Sequence, residues 1–251
     1  MTVFVTGASS GFGEAITRKL AAQGDRVVAA GRRFDRLERL AHELGPNVHP
    51  LQLDVQNRTA VMNALANLPE AFADVNALVN NAGLALGLEP AAAANLDDWE
   101  TMVDTNIKGL MFCTRALLPG MIARRRGHIV NMGSIASEFP YPGGNAYGAT
   151  KAFVHQFSLN LRADLLGTGV RVTNVEPGLC GGSEFSEVRF HGDRERAAAV
   201  YRDTQPLTPE DIADTVLWVL SRPAHVNVNV IQLMPVDQAF GPLAVHRRSK
   251  T

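Results

Sequence analysis

A tyrosine and a lysine stand four residues apart, at Tyr147 and Lys151, and together could transfer a proton. On a helix this spacing puts both side chains on one face, with Cβ atoms about 5–6 Å apart. A free tyrosine has a pKa of roughly 10 and is a poor base near neutral pH. An ammonium about 4 Å away, at an effective dielectric constant near 20, is worth up to about 4 kcal/mol. We therefore expect Lys151 to lower the pKa of Tyr147, so that the phenol exchanges protons with a substrate alcohol.

The first residues of the chain have the pattern of a strand, a glycine loop and a helix. The apolar run Thr2-Val3-Phe4-Val5 ends at a loop, and an apolar stripe of helical period follows over 15–21. Glycines let a backbone approach a pyrophosphate, and a helix N-terminus supplies free N–H groups. In this context the Gly-x-x-x-Gly-x-Gly spacing predicts a dinucleotide site. Its candidate residues are Gly7, Ser9, Ser10, Gly11, Phe12 and Gly13.

Two arginines follow the second predicted strand and indicate which dinucleotide binds. The chain reads Gly31-Arg32-Arg33-Phe34, with no acidic residue until Asp35. An NAD enzyme places a carboxylate about 20 residues beyond the glycine loop, where it accepts from the ribose hydroxyls. Two guanidinium groups instead suit a 2′-phosphate through charge-assisted, forked hydrogen bonds. Arg32 and Arg33 therefore predict NADP.

Length and composition favour one domain over the whole of 1–251. Hydrophobic residues make up 46% of the chain and its net charge is −1, which argues against a nucleic-acid surface. The two cysteines, Cys113 and Cys180, are far apart and lack a metal-binding spacing. No signal peptide and no run long enough to cross a membrane is apparent, so we expect a cytoplasmic protein. The sequence also predicts no metal site.

Strands and helices alternate along the chain, a pattern typical of a parallel sheet covered on both faces. The predicted strands are 2–6, 26–30, 48–53, 76–80, 127–133, 169–175 and 228–234. The predicted helices are 11–23, 34–44, 57–67, 97–125 (continuous or broken), 146–166 and 208–221. The expected fold is thus α/β, a doubly wound Rossmann domain with seven parallel strands and helices on both faces.

A long segment after the sixth predicted strand has no clean period. Residues 180–206 contain Gly181, Gly182, Gly192 and Pro206. Long irregular segments in compact domains are often functional lids. Ligands bind at the carboxyl ends of strands in open α/β sheets, so we expect 180–206 to be a substrate lid.

Further motifs resemble those of the short-chain dehydrogenase/reductase family, and the similarity covers essentially the whole chain. The loop from Thr6 to Gly13 is similar to the cofactor loop of that family. Other segments resemble its motif after the fourth strand, its adenine contact and its turn beside the nicotinamide. These are, in that order, Asn80-Asn81-Ala82-Gly83, Asp54 with Val55, and Pro177-Gly178.

The same resemblance implies a catalytic tetrad of Asn106, Ser134, Tyr147 and Lys151. Tyr147 would be the acid and base, and Ser134 would hydrogen-bond the reacting oxygen. Lys151 would hold the phenolate and the nicotinamide ribose. Asn106 would orient a water that links Lys151 to solvent.

Within the family, several segments are similar to the bacterial NADP-dependent 3-hydroxy acid dehydrogenases, also called serine or L-allo-threonine dehydrogenases. They include Leu84-Ala85-Leu86-Gly87-Leu88-Glu89-Pro90, Gly181-Gly182-Ser183-Glu184-Phe185 and Val188-Arg189-Phe190. This similarity implies small 3-hydroxy acid substrates, such as serine and 3-hydroxypropionate, and a homotetramer. The family's usual hydroxyl five residues after the turn proline is replaced by Gly182. Ser183 follows one position later and, with Phe185, is assigned to the cofactor.

A small hydroxy acid needs a cation or several N–H donors for its carboxylate. Arg189 in the expected lid is the main candidate, helped by Asn145 and the Gly143-Gly144 backbone. Arg247 in the C-terminal tail, reaching a neighbouring subunit, is a second possibility.

Two other functions remain open from the sequence. A 3-oxoacyl thioester reductase would use the same tetrad. A non-catalytic NADP-binding regulator would need neither Tyr147 nor Lys151, so their presence favours an enzyme.

Overall fold

A computed structural model describes residues 1–241 of the chain. The strands are β1 Thr2–Thr6, β2 Arg26–Gly31, β3 Val48–Gln52, β4 Ala77–Asn80, β5 Gly127–Met132, β6 Val170–Pro177 and β7 Val230–Leu233. The first seven helices are α1 Gly11–Ala22, α2 Phe34–Leu44, α3 Arg58–Ala66, α4 Glu70–Ala73, α5 Leu96–Val103, α6 Leu110–Ala123 and α7 Asn145–Asp164. The remaining helices are α8 Phe185–Arg189, α9 Arg194–Ala199 and α10 Pro209–Leu220.

All seven strands form one parallel sheet in the order β3-β2-β1-β4-β5-β6-β7. The predicted seven-stranded α/β fold is confirmed. The chain passes from β3 at one edge to β4 beside β1, so the strand order reverses between β1 and β4. A cleft opens at the carboxyl ends of strands at such a reversal, and it is where ligands bind in folds of this class.

Helices cover the sheet on both faces, which explains why every residue of β1 is buried. One apolar cluster joins the sheet to α1 and α10 through side chains such as Ile16 and Ile212. The opposite cluster joins it to α3, α6 and α7 through Val61, Met121 and Leu161. The two clusters hold the strand ends, and the loops that follow them, in fixed positions.

The predicted helix over 97–125 is divided by a π-helical turn, Asp104–Gly109, between α5 and α6. The wider turn changes the direction of the Asn106 side chain from that in an uninterrupted α-helix. In this direction the side chain bonds to the backbone of Leu84. Such turns occur frequently at functional sites.

The 180–206 segment is less irregular than the sequence indicated, because it contains α8 and α9. The side chain of Asp193 caps α9 by accepting from the Arg196 amide at 3.0 Å. Helices of five and six residues are too short to show an apolar period. Within residues 1–241, no helix has the length and apolar character that crossing a membrane requires.

Candidate active site

A cavity of about 610 Å³ lies at the carboxyl ends of β1, β4, β5 and β6, and the 180–206 segment lines one side of it. It brings together residues that are far apart in sequence, including most of the predicted site residues. Those that line it are Gly7, Ser9, Ser10, Gly11, Phe12, Arg32, Arg33, Asp54, Val55, Asn81, Ala82, Gly83, Ser134, Tyr147, Lys151, Pro177, Gly178, Ser183, Phe185 and Arg189.

The glycine loop between β1 and α1 has a backbone that only glycine adopts easily. Gly7 and Gly11 have φ values of +67° and +54°. Gly13 does not line the cavity, but a Cβ there would lie 2.3 Å from the Gly7 carbonyl oxygen. The side chain of Ser10, which precedes α1, makes no capping hydrogen bond to the helix. The first N–H groups of α1 are therefore available to an anion in the cavity.

The loop is tied to the end of β4 by the side chains of Thr6 and Asn81. The Thr6 hydroxyl oxygen accepts from the backbone N–H groups of Asn81 and Ala82 at 3.0 and 2.9 Å. The Asn81 amide donates to the carbonyl oxygens of Thr6 and Gly7. These bonds fix the two walls of the cleft relative to each other.

The two predicted arginines differ in their surroundings. Arg33 donates to the hydroxyls of Ser9 and Ser10 at 3.3 and 2.7 Å, and its guanidinium lies 2.7 Å from the Glu184 carboxylate. These contacts hold Arg33 over the glycine loop, and the guanidinium holds the pKa of Glu184 below its usual range. Arg32 is exposed at the cavity and forms no ion pair within residues 1–241.

Ser134, Tyr147 and Lys151 face one region of the cavity. Ser134 lies two residues after the end of β5, and its hydroxyl oxygen accepts from the Ala136 amide at 3.1 Å. Tyr147 lies in the first turn of α7, and Lys151 lies one turn later on the same face. The Lys151 Nζ atom donates to the carbonyl oxygen of Met132 at 2.7 Å and lies 5.7 Å from the centre of the Tyr147 ring.

Burial controls both pKa values. It raises the pKa of Tyr147 above its usual value, and a hydrogen bond from Ser134 and the nearby Arg189 cation only partly oppose this increase. Burial also lowers the pKa of Lys151 to about 8. The prediction of a lowered pKa for Tyr147 is therefore wrong for this arrangement, because burial outweighs the attraction of nearby cations. Desolvation favours the neutral form of both groups, and the ammonium is bonded to a carbonyl instead of the phenol.

Asn106 lies behind the cavity wall, not in it. Its amide donates to the Leu84 carbonyl oxygen and the Thr150 hydroxyl, and its oxygen accepts from the Leu84 amide. A Cβ added at Gly83 would lie 3.2 Å from the Asn106 oxygen and 3.6 Å from the Lys151 nitrogen. Asn106 and Lys151 are thus neighbours of the same position, where a side chain would crowd the Asn106 oxygen.

Arg189, at the end of α8, lies beside Tyr147. Its guanidinium carbon is 5.7 Å from the centre of the Tyr147 ring. The guanidinium donates to the Tyr141 hydroxyl at 2.8 Å and to the Gly87 carbonyl oxygen at 3.3 Å. Arg189 is only half-buried, so an anion in the cavity can approach it.

The other predicted substrate contacts are not brought to this cavity. The Asn145 amide donates to the Glu89 carbonyl oxygen at 3.1 Å, which turns the side chain towards the loop after β4. Gly143 packs on the same loop, where a Cβ would lie 2.2 Å from the Leu88 carbonyl oxygen. Arg247 lies outside the described residues.

Ser183 contacts the glycine loop, and Phe185 contacts Tyr147. A Cβ at Gly11 would lie 3.1 Å from that of Ser183, so this serine packs on the glycine loop although Gly182 takes the family's usual hydroxyl position. The Phe185 ring makes an edge contact with the Tyr147 ring, at 5.9 Å between centres. Sequence reasoning missed Tyr141 and Glu184, because their partners Arg189 and Arg33 are remote in sequence.

Comparisons with known proteins agree with this geometry. A family model described as short chain dehydrogenase matches residues 1–192. An NADP-dependent 3-hydroxy acid dehydrogenase of Salmonella typhi is 60% identical over 247 residues, which cover 98% of this chain and 100% of that protein. A serine 3-dehydrogenase of Agrobacterium fabrum is 50% identical, with 99% of each chain covered.

Solved structures show the same similarity. The closed form of serine dehydrogenase complexed with NADP+ matches with a TM-score of 0.98 and 58% identity, covering 99% of this chain and 100% of that one. A crystal structure of serine dehydrogenase from Escherichia coli matches with a TM-score of 0.85 and 54% identity, covering 96% of this chain and 100% of that one. Family model, relatives and fold agree with one another, and the chain belongs to the short chain dehydrogenase family.

Proposed function

We propose that the protein is an NADP-dependent oxidoreductase that interconverts small 3-hydroxy acids and the corresponding 3-oxo acids or semialdehydes. The observation that carries this proposal is the arrangement of Ser134, Tyr147 and Arg189 around one cavity. Two of these side chains can act on an alcohol, and the third can hold a carboxylate beside it. Relatives that are 50–60% identical over nearly the whole chain bear names with the same activity.

The residues at the cavity fit NADP. The backbone at Gly7 and Gly11 leaves room for a pyrophosphate, and the uncapped N-terminus of α1 offers it N–H donors. Arg32 and Arg33 would hold the 2′-phosphate, with Arg33 already fixed by Ser10. When bound, the cofactor accepts the hydride of the substrate's carbinol carbon, or returns it in the reverse direction.

The cavity extends from these groups to the catalytic side chains. The residues that would complete the cofactor site are Asp54, Val55, Asn81, Ala82, Gly83, Tyr147, Lys151, Pro177, Gly178, Ser183 and Phe185. Asp54 and Val55, after β3, would lie on the adenine side. Pro177, the last residue of β6, and Gly178 after it would lie on the nicotinamide side.

In reduction the neutral Tyr147 phenol gives its proton to the substrate oxygen, and in oxidation the Tyr147 phenolate takes the proton of the substrate hydroxyl. Ser134 donates a hydrogen bond to the same substrate oxygen as negative charge develops there. Lys151 stabilises the phenolate once it forms, since its ammonium lies 5.7 Å from the ring centre. Asn106 joins the loop after β4 to α7, the helix that carries Tyr147, through its bonds to Leu84 and Thr150.

Arg189 recognises the substrate carboxylate. Its guanidinium lies near the Tyr147 ring, so a short acid can reach both groups at once. Its bonds to Tyr141 and Gly87 hold the guanidinium in place before the substrate arrives. A longer carrier-bound thioester has no free carboxylate near the reacting carbon and would gain nothing from this cation.

The 180–206 segment, which carries Arg189, acts as the substrate lid of a single-domain enzyme. It lines the cavity from Cys180 to Tyr201 and is joined to the opposite wall by the Arg33–Glu184 ion pair. The family resemblance supports a homotetramer and a cytoplasmic location for this protein.

A panel of substrates tests the proposal. Purified protein is incubated with NADP or NAD and serine, 3-hydroxypropionate, uncharged alcohols of similar size or acetoacetyl thioesters, and absorbance of the reduced nicotinamide is followed. We expect turnover of the acids with NADP. Preferred reduction of thioesters would indicate the 3-oxoacyl reductase instead, and tight NADP binding without any turnover would indicate a regulator.

A further inference from the structure

A glutamate on β6 is completely buried beneath the candidate active site. Glu176 is 0% exposed, and four side chains contact its carboxylate. The oxygen Oε1 lies 2.7 Å from His155 Nδ1, 2.8 Å from Asn174 Nδ2 and 3.0 Å from the Ser137 hydroxyl. The oxygen Oε2 accepts from the Gln232 amide at 3.0 Å. A carboxylate only accepts hydrogen bonds, so His155 carries its proton on Nδ1 here.

These partners connect the two elements that carry the catalytic side chains. Ser137 belongs to the short 3-10 turn Ile135–Ser137, which begins directly after Ser134. Its hydroxyl is shared between the Ser134 carbonyl oxygen, at 2.7 Å, and Glu176. His155 lies on α7 one helical turn after Lys151. The carboxylate therefore joins the turn behind Ser134 to the catalytic helix.

The backbone before Ser134 also packs against this carboxylate. A Cβ at Gly133 would lie 2.5 Å from the Asn174 side-chain oxygen and 3.0 Å from Cγ of Glu176. The Gly133 amide donates to the Val175 carbonyl oxygen at 2.7 Å. Movement of the Glu176 side chain would thus be transmitted to the residue that precedes Ser134.

A structural purpose alone does not explain a charged group at this position. Removing a carboxylate from water costs several kcal/mol, and a well-packed apolar side chain is often as stable. Glu138, His155 and Glu176 have ligand atoms within 4.8 Å of one another, as a cation site would require. The oxygen Oε1 of Glu176, which faces His155, already accepts from three donors, however, and Oε2 accepts from Gln232. What the carboxylate provides is a directional connection between elements.

We propose that Glu176 is a positioning residue that sets the place of Ser134 relative to Tyr147, acting through Ser137 and His155. This inference rests on the proposed oxidoreductase function. A misplacement of about 1 Å in a reacting group can lower turnover about a hundredfold, so a residue outside the cavity can control kcat.

The test is a double-mutant cycle between Glu176→Gln and Ser134→Ala, measured with NADP and a 3-hydroxy acid. Glutamine keeps the shape of the glutamate side chain. Its amide nitrogen, however, is a donor and would face the donor group of Gln232 or His155. We expect Glu176→Gln to lower kcat at least about tenfold while NADP affinity stays within about twofold. In the Ser134→Ala background the same substitution should change residual kcat less than about threefold, because the serine through which it acts is gone.

Ser137→Ala provides a second variant if the glutamine variant does not fold, since it removes only the hydroxyl between Ser134 and Glu176. It should lower kcat in the same direction and lose its effect when Ser134 is alanine. His128→Gln is the matched control. It alters another buried polar residue, at the opposite end of β5, which lies 2.9 Å from Thr173 and does not contact the Ser134 turn.

Hydrogen exchange gives a readout that does not depend on turnover. Amides over 133–138 should exchange faster in Glu176→Gln than in the wild type, whereas those over 2–6 should not change. An equal loss of kcat in both backgrounds, or unchanged kcat and unchanged exchange in folded Glu176→Gln, would overturn the inference. A wild-type enzyme that does not oxidise hydroxy acids would refute the proposed function, and the exchange result would still decide the role of Glu176.

Discussion

Replacing Lys151 by methionine should stop turnover and, near neutral pH, make the protein at least as stable as the wild type. Burial lowers the pKa of this ammonium from 10.5 to about 8. That shift corresponds to about 3 kcal/mol by which the folded state disfavours the charged form. Methionine keeps the apolar stem and removes the charge. It also leaves the Met132 carbonyl without its donor, which costs about 1–3 kcal/mol. The net change at about pH 7 is therefore between about zero and 2 kcal/mol in favour of the variant.

The pH dependence of this difference follows from the same shift. Between the folded pKa of about 8 and the unfolded value of 10.5, the unfolded wild type binds a proton that the folded wild type has lost. The wild type therefore gains up to about 1.4 kcal/mol per pH unit in this window, and the variant does not. The stability of Lys151→Met relative to the wild type should therefore decrease by about 3 kcal/mol as the pH rises from about 8 to about 10.5.

Urea denaturation at about pH 7 and about pH 10 measures the free energy of unfolding of both proteins. Lys108→Met is the matched control, because that lysine is 55% exposed and, among residues 1–241, pairs only with Asp104. Its free energy of unfolding should follow the wild type at both pH values. If the difference between Lys151→Met and the wild type does not change with pH, the ammonium is not desolvated and the reasoning fails.

Three other variants, one of them a double substitution, test separate parts of the account. Replacing Arg32 and Arg33 together by alanine should lower kcat/KM for NADP at least about a hundredfold and for NAD far less, because each charge-assisted contact is worth about 1.5–3 kcal/mol. Equal losses for the two cofactors would exclude a role of this pair in recognising the 2′-phosphate. Arg189→Met should raise KM for a 3-hydroxy acid at least about tenfold but not for an uncharged alcohol, whereas Arg194→Met, on the exposed side of the same segment, should change neither. Burial lowers the pKa of His128 to about 3, so the unfolded chain binds its proton first and stability falls as the pH decreases from about 6.5. In His128→Gln the free energy of unfolding should fall less steeply with decreasing pH than in the wild type, by up to about 1.4 kcal/mol per pH unit. An identical slope in the two proteins would contradict the burial argument.

The sequence predicted the features that depend on local pattern. Strands buried on both faces, such as β1, appear as continuous apolar runs, and glycines such as Gly7 mark the loop that follows. The positions of Tyr147 and Lys151 on one helical face follow from their spacing alone. Order along the chain and helical period were therefore enough for the sheet and for the placement of these side chains at one cavity.

Features set by contacts between remote residues could not be predicted in this way. The direction of Asn145 is decided by the carbonyl of Glu89, and the position of Arg33 by Glu184, which is 151 residues away. The pKa of Tyr147 depends on how completely the fold buries it, which neighbouring residues in the sequence do not reveal. The π-helical turn at Asn106 spans only six residues, which is too short for a change of apolar period to be recognised.

The most direct test of the account is the rate of hydride transfer in Tyr147→Phe, measured in a single turnover with saturating NADP and a 3-hydroxy acid. The change removes only the hydroxyl that exchanges the substrate proton. Tyr201 also lines the cavity, but its hydroxyl is bonded to Ser186, so Tyr201→Phe makes the same chemical change at a hydroxyl with another partner. We predict that Tyr147→Phe lowers the rate by about 10²–10⁴-fold, with NADP affinity nearly unchanged, while Tyr201→Phe stays within about threefold of the wild type. A Tyr147→Phe rate within about tenfold of the wild type would contradict the account.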